Sequence, residues 1–242
     1  GLLIASLLVA VTGSAWRVAW VAFAAVGVLG AVVNLVVLPS AAPYGASRSR
    51  YGGSGLLAPA AVRLFTVAAL ASMTSGAYFA YAPEAAQAAG LSVWIGAAMW
   101  GALGFSGAVV GAFGGEIADR FSLGPALAVT WLGMALALAS LLAIAGTPTG
   151  ALASAALFGA AFTAGYAFVA MWSQEVFPER PTTGFTATIV CIAAGFSLGP
   201  VLYGVVATFA GRPSALIAAT VPAVLAAVLS VVPPRSAALR ST

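Results

Sequence analysis

The chain has 242 residues, of which 62% are hydrophobic and 6% charged, with a mean hydropathy of +1.10. Soluble domains carry roughly a quarter charged residues, so a water-soluble globular protein is excluded. The net charge of +4 comes from nine basic residues, all Arg, against five acidic ones; no basic stripe tracks phosphates, which argues against nucleic-acid binding, and with no His and no acidic metal-binding cluster neither an enzyme nor a cofactor is expected.

The apolar material falls into segments near the ~20 residues that a helix needs to cross a ~30 Å hydrocarbon layer. In lipid every backbone N–H and C=O must be paired, so spans are helices or closed-barrel strands. Barrel strands alternate polar and apolar residues, whereas these segments are continuously apolar. The expected fold class is all-α, a polytopic transmembrane helix bundle in a lipid bilayer.

In chain order, residues 1–11 read as the back half of a span that closes at Thr12-Gly13-Ser14. The chain is therefore expected to begin inside a helix of a longer protein. The first full span covers 16–38, with Trp16 and Trp20 at one interface and Pro39 at the other. Residues 39–58 form the one linker, rich in Gly, Ser and Arg and flexible by composition. Six spans follow, over 59–81, 91–113, 125–145, 150–172, 183–210 and 214–232. Short joints make sequence neighbours antiparallel. The parts are thus 1–38, the linker 39–58, a six-helix bundle 59–234 and a tail 235–242.

Placing the linker and the C-terminus in the cytoplasm puts Arg48, Arg50, Arg63, Arg120, Arg180, Arg235 and Arg240 there and leaves Arg17 and Arg212 opposite. Seven against two follows the positive-inside tendency. The expected location is a cell (inner) membrane, multi-pass.

Gly107, Gly111 and Gly115 recur every four residues with Gly104 one turn earlier, a face that lets a neighbouring helix approach closely. Gly104-Phe105-Ser106-Gly107 also fits the Gly-x-Ser-Gly pattern of intramembrane serine proteases, but a serine nucleophile needs a base and the His those enzymes use is absent. Pro200, within Gly195-Phe196-Ser197-Leu198-Gly199-Pro200-Val201-Leu202-Tyr203-Gly204, cannot donate to the carbonyl of Phe196. It predicts either a static kink or a flexing point. Cys191 reads as apolar packing.

Uncharged polar and aromatic residues within the spans are few. Thr74, Tyr78 and Tyr81 share one helical face, Phe162, Tyr166 and Ser173 another, and Thr188 lies on the Pro200 helix. Thr74, Tyr78, Tyr81, Phe162, Tyr166 and Thr188 are candidates for lining a substrate cavity, beside the alternatives of local hydrogen bonds or interfacial anchors. Glu84, Glu116, Asp119, Glu175 and Glu179 all fall at helix ends, so a proton- or sodium-coupling carboxylate is not expected among them.

At the joint before the third of the six spans stands Gly115-Glu116-Ile117-Ala118-Asp119-Arg120. With the linker and topology it resembles the loop signature of the major facilitator superfamily, twelve-helix transporters built from two six-helix halves. Gly115, Asp119 and Arg120 match, while Ser122 stands where Gly is usual, and Leu123 and Gly124 where basic residues are usual. Trp16-Arg17 is similar to the corner before helix six, and Gly195 to Gly204 resembles a Gly-Pro helix motif, here in helix eleven. The resemblance implies that the chain runs from the end of helix five through helix twelve and that the missing N-terminal half is a partner. It also implies that Asp119 faces the helix start at Pro181-Thr182-Thr183 as a gate, with Arg120 able to pair with Glu175. Gly195, Gly199, Pro200 and Gly204 join these as conformational residues.

The expected function is secondary active transport of a small-molecule organic substrate by alternating access, with efflux one direction the composition allows. The alternative is a non-transporting membrane remnant or membrane-embedded interaction module.

Overall fold

The computed structural model describes residues 16–37, 55–120 and 122–231. Their regular structure is helical: α1 (Trp16–Val37), α2 (Pro59–Ala88), α3 (Trp94–Arg120), α4 (Leu123–Ile144), α5 (Pro148–Val176) and α6 (Pro181–Val231). The last is two helices joined at Gly211, whose φ of 82° and ψ of 163° leave the helical region. Such a φ suits glycine, which has no Cβ to clash. The arms 181–210 and 212–231 correspond to the last two predicted spans, so six membrane-length segments follow the linker. Residues 1–15, the linker core 38–54 and the end 232–242 lie outside the described residues, as do the expectations placed on them.

Helix starts follow local chemistry. Pro59, Pro148 and Pro181 open α2, α5 and α6, where a missing N–H costs nothing because it would have no intrahelical partner. At α5 the Thr147 hydroxyl accepts from the Gly150 N–H at 3.1 Å, a side-chain N-cap.

Two predicted boundaries differ by about two turns. The first span of the six was expected to stop near Tyr81, yet α2 continues through Pro83 to Ala88. Pro83 removes only the bond to the Phe79 carbonyl, and the helix stops at the next breaker, Gly90, where Leu91 N–H bonds back to Ala86 O at 3.2 Å. The motif Gly115 to Arg120 was read as a joint, whereas α3 stays helical through Arg120 and only residues 121–122 separate it from α4. Nothing in Gly-Glu-Ile-Ala-Asp-Arg breaks a helix beyond its glycine.

Apolar burial gives no force between helices already in lipid, so close packing and interhelical hydrogen bonds must hold the bundle. The most extensive contact is between α2 and α6; α3 packs on α5, and α4 on α5 and α6. At the α2–α6 contact a Cβ on Gly195 would strike the Ala69 carbonyl, and one on Gly199 the Met73 carbonyl. The expected close approach of α3 also appears. A Cβ on Gly107 would lie 2.6 Å from Thr163 Oγ1, and one on Gly159 would strike the Leu103 carbonyl. Between these contacts Trp131, Phe158, Met134, Leu138, Leu64 and Val67 form a buried core. Val129, Leu136 and Phe209 point outward, Phe209 being 86% exposed. The described side chains of α1 are likewise exposed.

Candidate functional site

The alternating helix directions bring the start of α2, the α3–α4 and α5–α6 joints and the end of α6 to one end of the bundle. At the other end lie the end of α2, the α4–α5 joint and Gly211. Four elements, α2, α3, α5 and the first arm of α6, supply aromatic side chains that meet midway. Phe79 stacks on Trp100 with ring centroids 5.3 Å apart and on Phe196 at 5.7 Å. Phe162 meets Phe79 edge-on at 5.2 Å, and Tyr166 lies 4.6 Å from Phe162 and 6.3 Å from Phe196. All five rings are partly buried, unlike the outward Phe105 and Phe209.

A hydroxyl cluster backs this panel. Ser72 and Ser75 donate to the carbonyls of Ala68 and Ala71 at 2.7 and 2.9 Å, and both contact the Tyr166 hydroxyl, at 2.7 and 3.1 Å. Three hydroxyls hold three protons for these four contacts. If both serine protons go to the helix, the phenol is left to donate to one of the two serines.

The other predicted polar residues do different work. Thr74 is fully buried; its hydroxyl donates to Ala219 O at 2.7 Å and accepts from Ala223 N–H at 3.1 Å. An unbroken helix would pair those two backbone groups directly, so Thr74 bridges the second arm of α6 beside Pro222, a known way to bend a helix. Tyr78 is buried, stacked on Phe158 at 3.8 Å with its hydroxyl 2.9 Å from Ser154 Oγ. Thr188 is buried and bonds to Gly184 O one turn back. Thr74, Tyr78 and Thr188 are buried, whereas Tyr81, Phe162 and Tyr166 keep partial exposure. The difference is one of packing, which spacing along one helix does not specify.

Replacing Thr74 by Val keeps the volume but leaves Ala219 C=O and Ala223 N–H without the bridge. Interhelical bonds in membranes average only ~0.6 kcal/mol, but two buried backbone groups are at stake, so a loss of about 1–2 kcal/mol is expected. Thermal unfolding in detergent should show a lowered midpoint for Thr74→Val and a near-normal one for Thr74→Ser. An unchanged midpoint for Thr74→Val would mean that the helix recloses its own bond.

Pro200 sits against α2. The Phe196 carbonyl that it leaves without a helical donor abuts Gly76, where any Cβ would strike it. The Tyr81 hydroxyl donates to Pro200 O at 3.2 Å, and its ring stacks on Tyr203 at 4.1 Å. Gly204 is the loosest part of this motif, 3.5 Å from Tyr81 Oη when given a Cβ.

The ends are tied by arginines. Arg63, read from sequence only as an orientation signal, donates to Leu229 O at 2.7 Å and Ser230 O at 3.0 Å and lies 5.4 Å over the Trp172 ring. It satisfies the terminal carbonyls of α6 and meets the negative end of that helix's dipole. At the opposite end Arg212 pairs with Glu84 at 2.8 Å. Both partners are more than half exposed, which limits such a pair to about 1 kcal/mol or less. Gly115, Asp119 and Arg120 lie in the last turns of α3, their side chains outside those described. Glu175 is exposed near the end of α5, on the same end of the bundle.

Phe79, Trp100, Phe196, Ser72 and Ser75 escaped the sequence reading. The available signal was aromatic density: Phe79 adjoins Tyr78, and Phe196 lies inside the glycine–proline motif. An apolar void of about 10 Å³ beside Tyr78, Met99 and Trp100 is at the lower limit for one water. Small-molecule sites run to hundreds of Å³, so that void is not a solute cavity, and the partly buried panel is the better candidate.

The family model described as Major Facilitator Superfamily matches residues 1–200. No curated protein matches the chain, and no solved structure does.

Proposed function

The chain belongs to the Major Facilitator Superfamily and is a multi-pass membrane transporter, and from that premise we propose that it moves small organic solutes by alternating access. The observation that carries this reading is the face built by α2, α3, α5 and the first arm of α6, where five aromatic side chains meet and stay only partly buried. In the proposed cycle this face looks across the solute cavity toward the other six-helix half. Transporter sites sit near the bilayer midplane between such repeats.

The contact between α2 and α6 supports a moving part at this face. Pro200 and Pro222, one in each arm, weaken the α6 backbone, and α2 braces it beside each, through Gly76 and Tyr81 near Pro200 and through Thr74 near Pro222. A helix held by such contacts can bend about discrete points while its neighbours stay packed. Asp119 is assigned the gate on the Arg63 end, which is taken as cytoplasmic by the arginine distribution. The uncharged lining favours apolar or weakly polar solutes.

The test is flux in sealed vesicles. The purified protein, as expressed from its full reading frame, should give saturable uptake or release of organic solutes that responds to an imposed proton or sodium gradient. Flux no greater than in protein-free vesicles, from folded protein, would favour a membrane-embedded interaction module instead.

A further inference from the structure

We propose that residues 201–211, the part of the first arm of α6 beyond Pro200, form a gating lid that swings about Pro200 and is latched by the Glu84–Arg212 pair. The proposal rests on the transport reading and deepens it, by naming the part that moves and the residues that hold it.

Burial changes at Pro200. Before it Gly184, Thr188, Gly195 and Gly199 are buried along the arm, and Gly195 and Gly199 seat against the Ala69 and Met73 carbonyls of α2. Beyond it Tyr203 is buried, but no residue from Gly204 to Ser214 is. Segments with few buried contacts open locally before their surroundings do. Both ends of this one are also breaks in the backbone ladder. Pro200 withholds a donor from the Phe196 carbonyl, and Gly211 leaves the helical region. Past Gly211 the second arm is anchored again at once, Ala215 being fully buried and Leu216 nearly so.

The bend at Pro222 is of a different kind. Thr74 bonds both Ala219 O and Ala223 N–H there, and Arg63 holds the Leu229 and Ser230 carbonyls at the end of the same arm. That arm is pinned in two places and stays with α2. At Pro200 the freed Phe196 carbonyl abuts the Gly76 backbone, while Tyr81 donates to Pro200 O and stacks on Tyr203. These contacts brace the pivot and leave the tip free. Among the described residues the tip is tied to α2 by the Glu84–Arg212 pair, and an exposed ion pair is weak enough to break and re-form within a cycle. Residues 201–210 make a lever of about 15 Å, so a change of about 20° in the bend carries the tip by roughly 5 Å. Phe196 lies one turn before the pivot, which sets the lid beside the aromatic panel.

Two measurements on the full-length protein, with Cys191 and any other cysteine replaced by Ser, test the lid. In the first, Glu84→Cys/Arg212→Cys is joined by a short bis-methanethiosulfonate in sealed vesicles. Cross-linking should cut flux by about tenfold or more relative to the same protein after reduction, because a lid that cannot open blocks every cycle. In the second, spin labels at Gln87 and Phe209, both exposed, report the tip. They should show two distances, whereas labels at Val62 and Val190, below the pivot, should show one. Glu84→Gln should raise the population of the longer distance by about two- to fivefold.

Equal flux before and after reduction would overturn the lid and leave the transporter standing. A single narrow distance at the tip, unmoved by Glu84→Gln, would overturn it as well. Two distances that respond to Glu84→Gln, with no flux of any solute, would support the moving segment and its latch and remove the transport reading.

Discussion

Gly199→Ala in the full-length protein is expected to lower stability sharply and to bring flux down to background. The added Cβ would strike the Met73 carbonyl oxygen and lie 2.7 Å from its carbon and 2.9 Å from Met73 Cα. These are backbone atoms of α2 and cannot rotate aside, so the two helices must separate along their largest contact. Overpacking typically costs 1–3 kcal/mol, and a clash with rigid backbone belongs near ~3 kcal/mol. Alanine gains about 1 kcal/mol over glycine in a helix, too little to offset it. At Gly204 the balance reverses, because a Cβ there meets only the Tyr81 hydroxyl at an ordinary 3.5 Å. Gly204→Ala should therefore be neutral or mildly stabilising. Thermal midpoints of both variants, read beside vesicle flux, provide the test. A Gly199→Ala protein as stable and active as the parent would show that α2 and α6 do not need this approach.

Asp119→Asn is expected to cut flux about tenfold with little change in stability. The proposed gate sets a carboxylate against the positive end of the α6 dipole, an interaction of up to ~2 kcal/mol. Its removal changes the balance of the two cavity orientations by up to about 30-fold. Asn keeps the size and loses the charge. Asp119→Glu, which keeps the charge, should retain part of the activity, and the thermal midpoint of all three proteins should agree closely. Normal flux through Asp119→Asn would take this residue out of the mechanism. Because Leu123 and Gly124 follow the motif, no later basic residue is at hand to restore the charge pattern.

Much of the architecture was legible in the chain. Continuous apolar segments of about 20 residues admit only helices in lipid, so the six segments after the linker follow from hydropathy, and the prolines at 59, 148 and 181 mark helix starts. The glycine spacing around Gly107 announced a close contact, as did the run from Gly195 to Gly204, because a missing side chain is a property of sequence. Thr147 as a cap and Gly211 as a break are equally local matters.

Which hydroxyl would be buried and which left partly exposed depended on the partners. Thr74 and Tyr81 lie on the same face of α2, yet Thr74 enters the bend at Pro222 while Tyr81 meets Pro200. Arg63 gained its role as a cap from the last turn of α6, whose Leu229 lies 166 residues later. The aromatic panel needed four helices to meet, and no single helix carries more than two of its rings. Periodicity within a helix states which residues share a face; it holds no information on what that face will touch. The sequence by itself determined the number, length and punctuation of the helices, because those depend on hydropathy and backbone chemistry within one segment. Only the tertiary structure decided which polar groups are buried in packing and which stay partly exposed, because that depends on contacts between segments far apart in the chain.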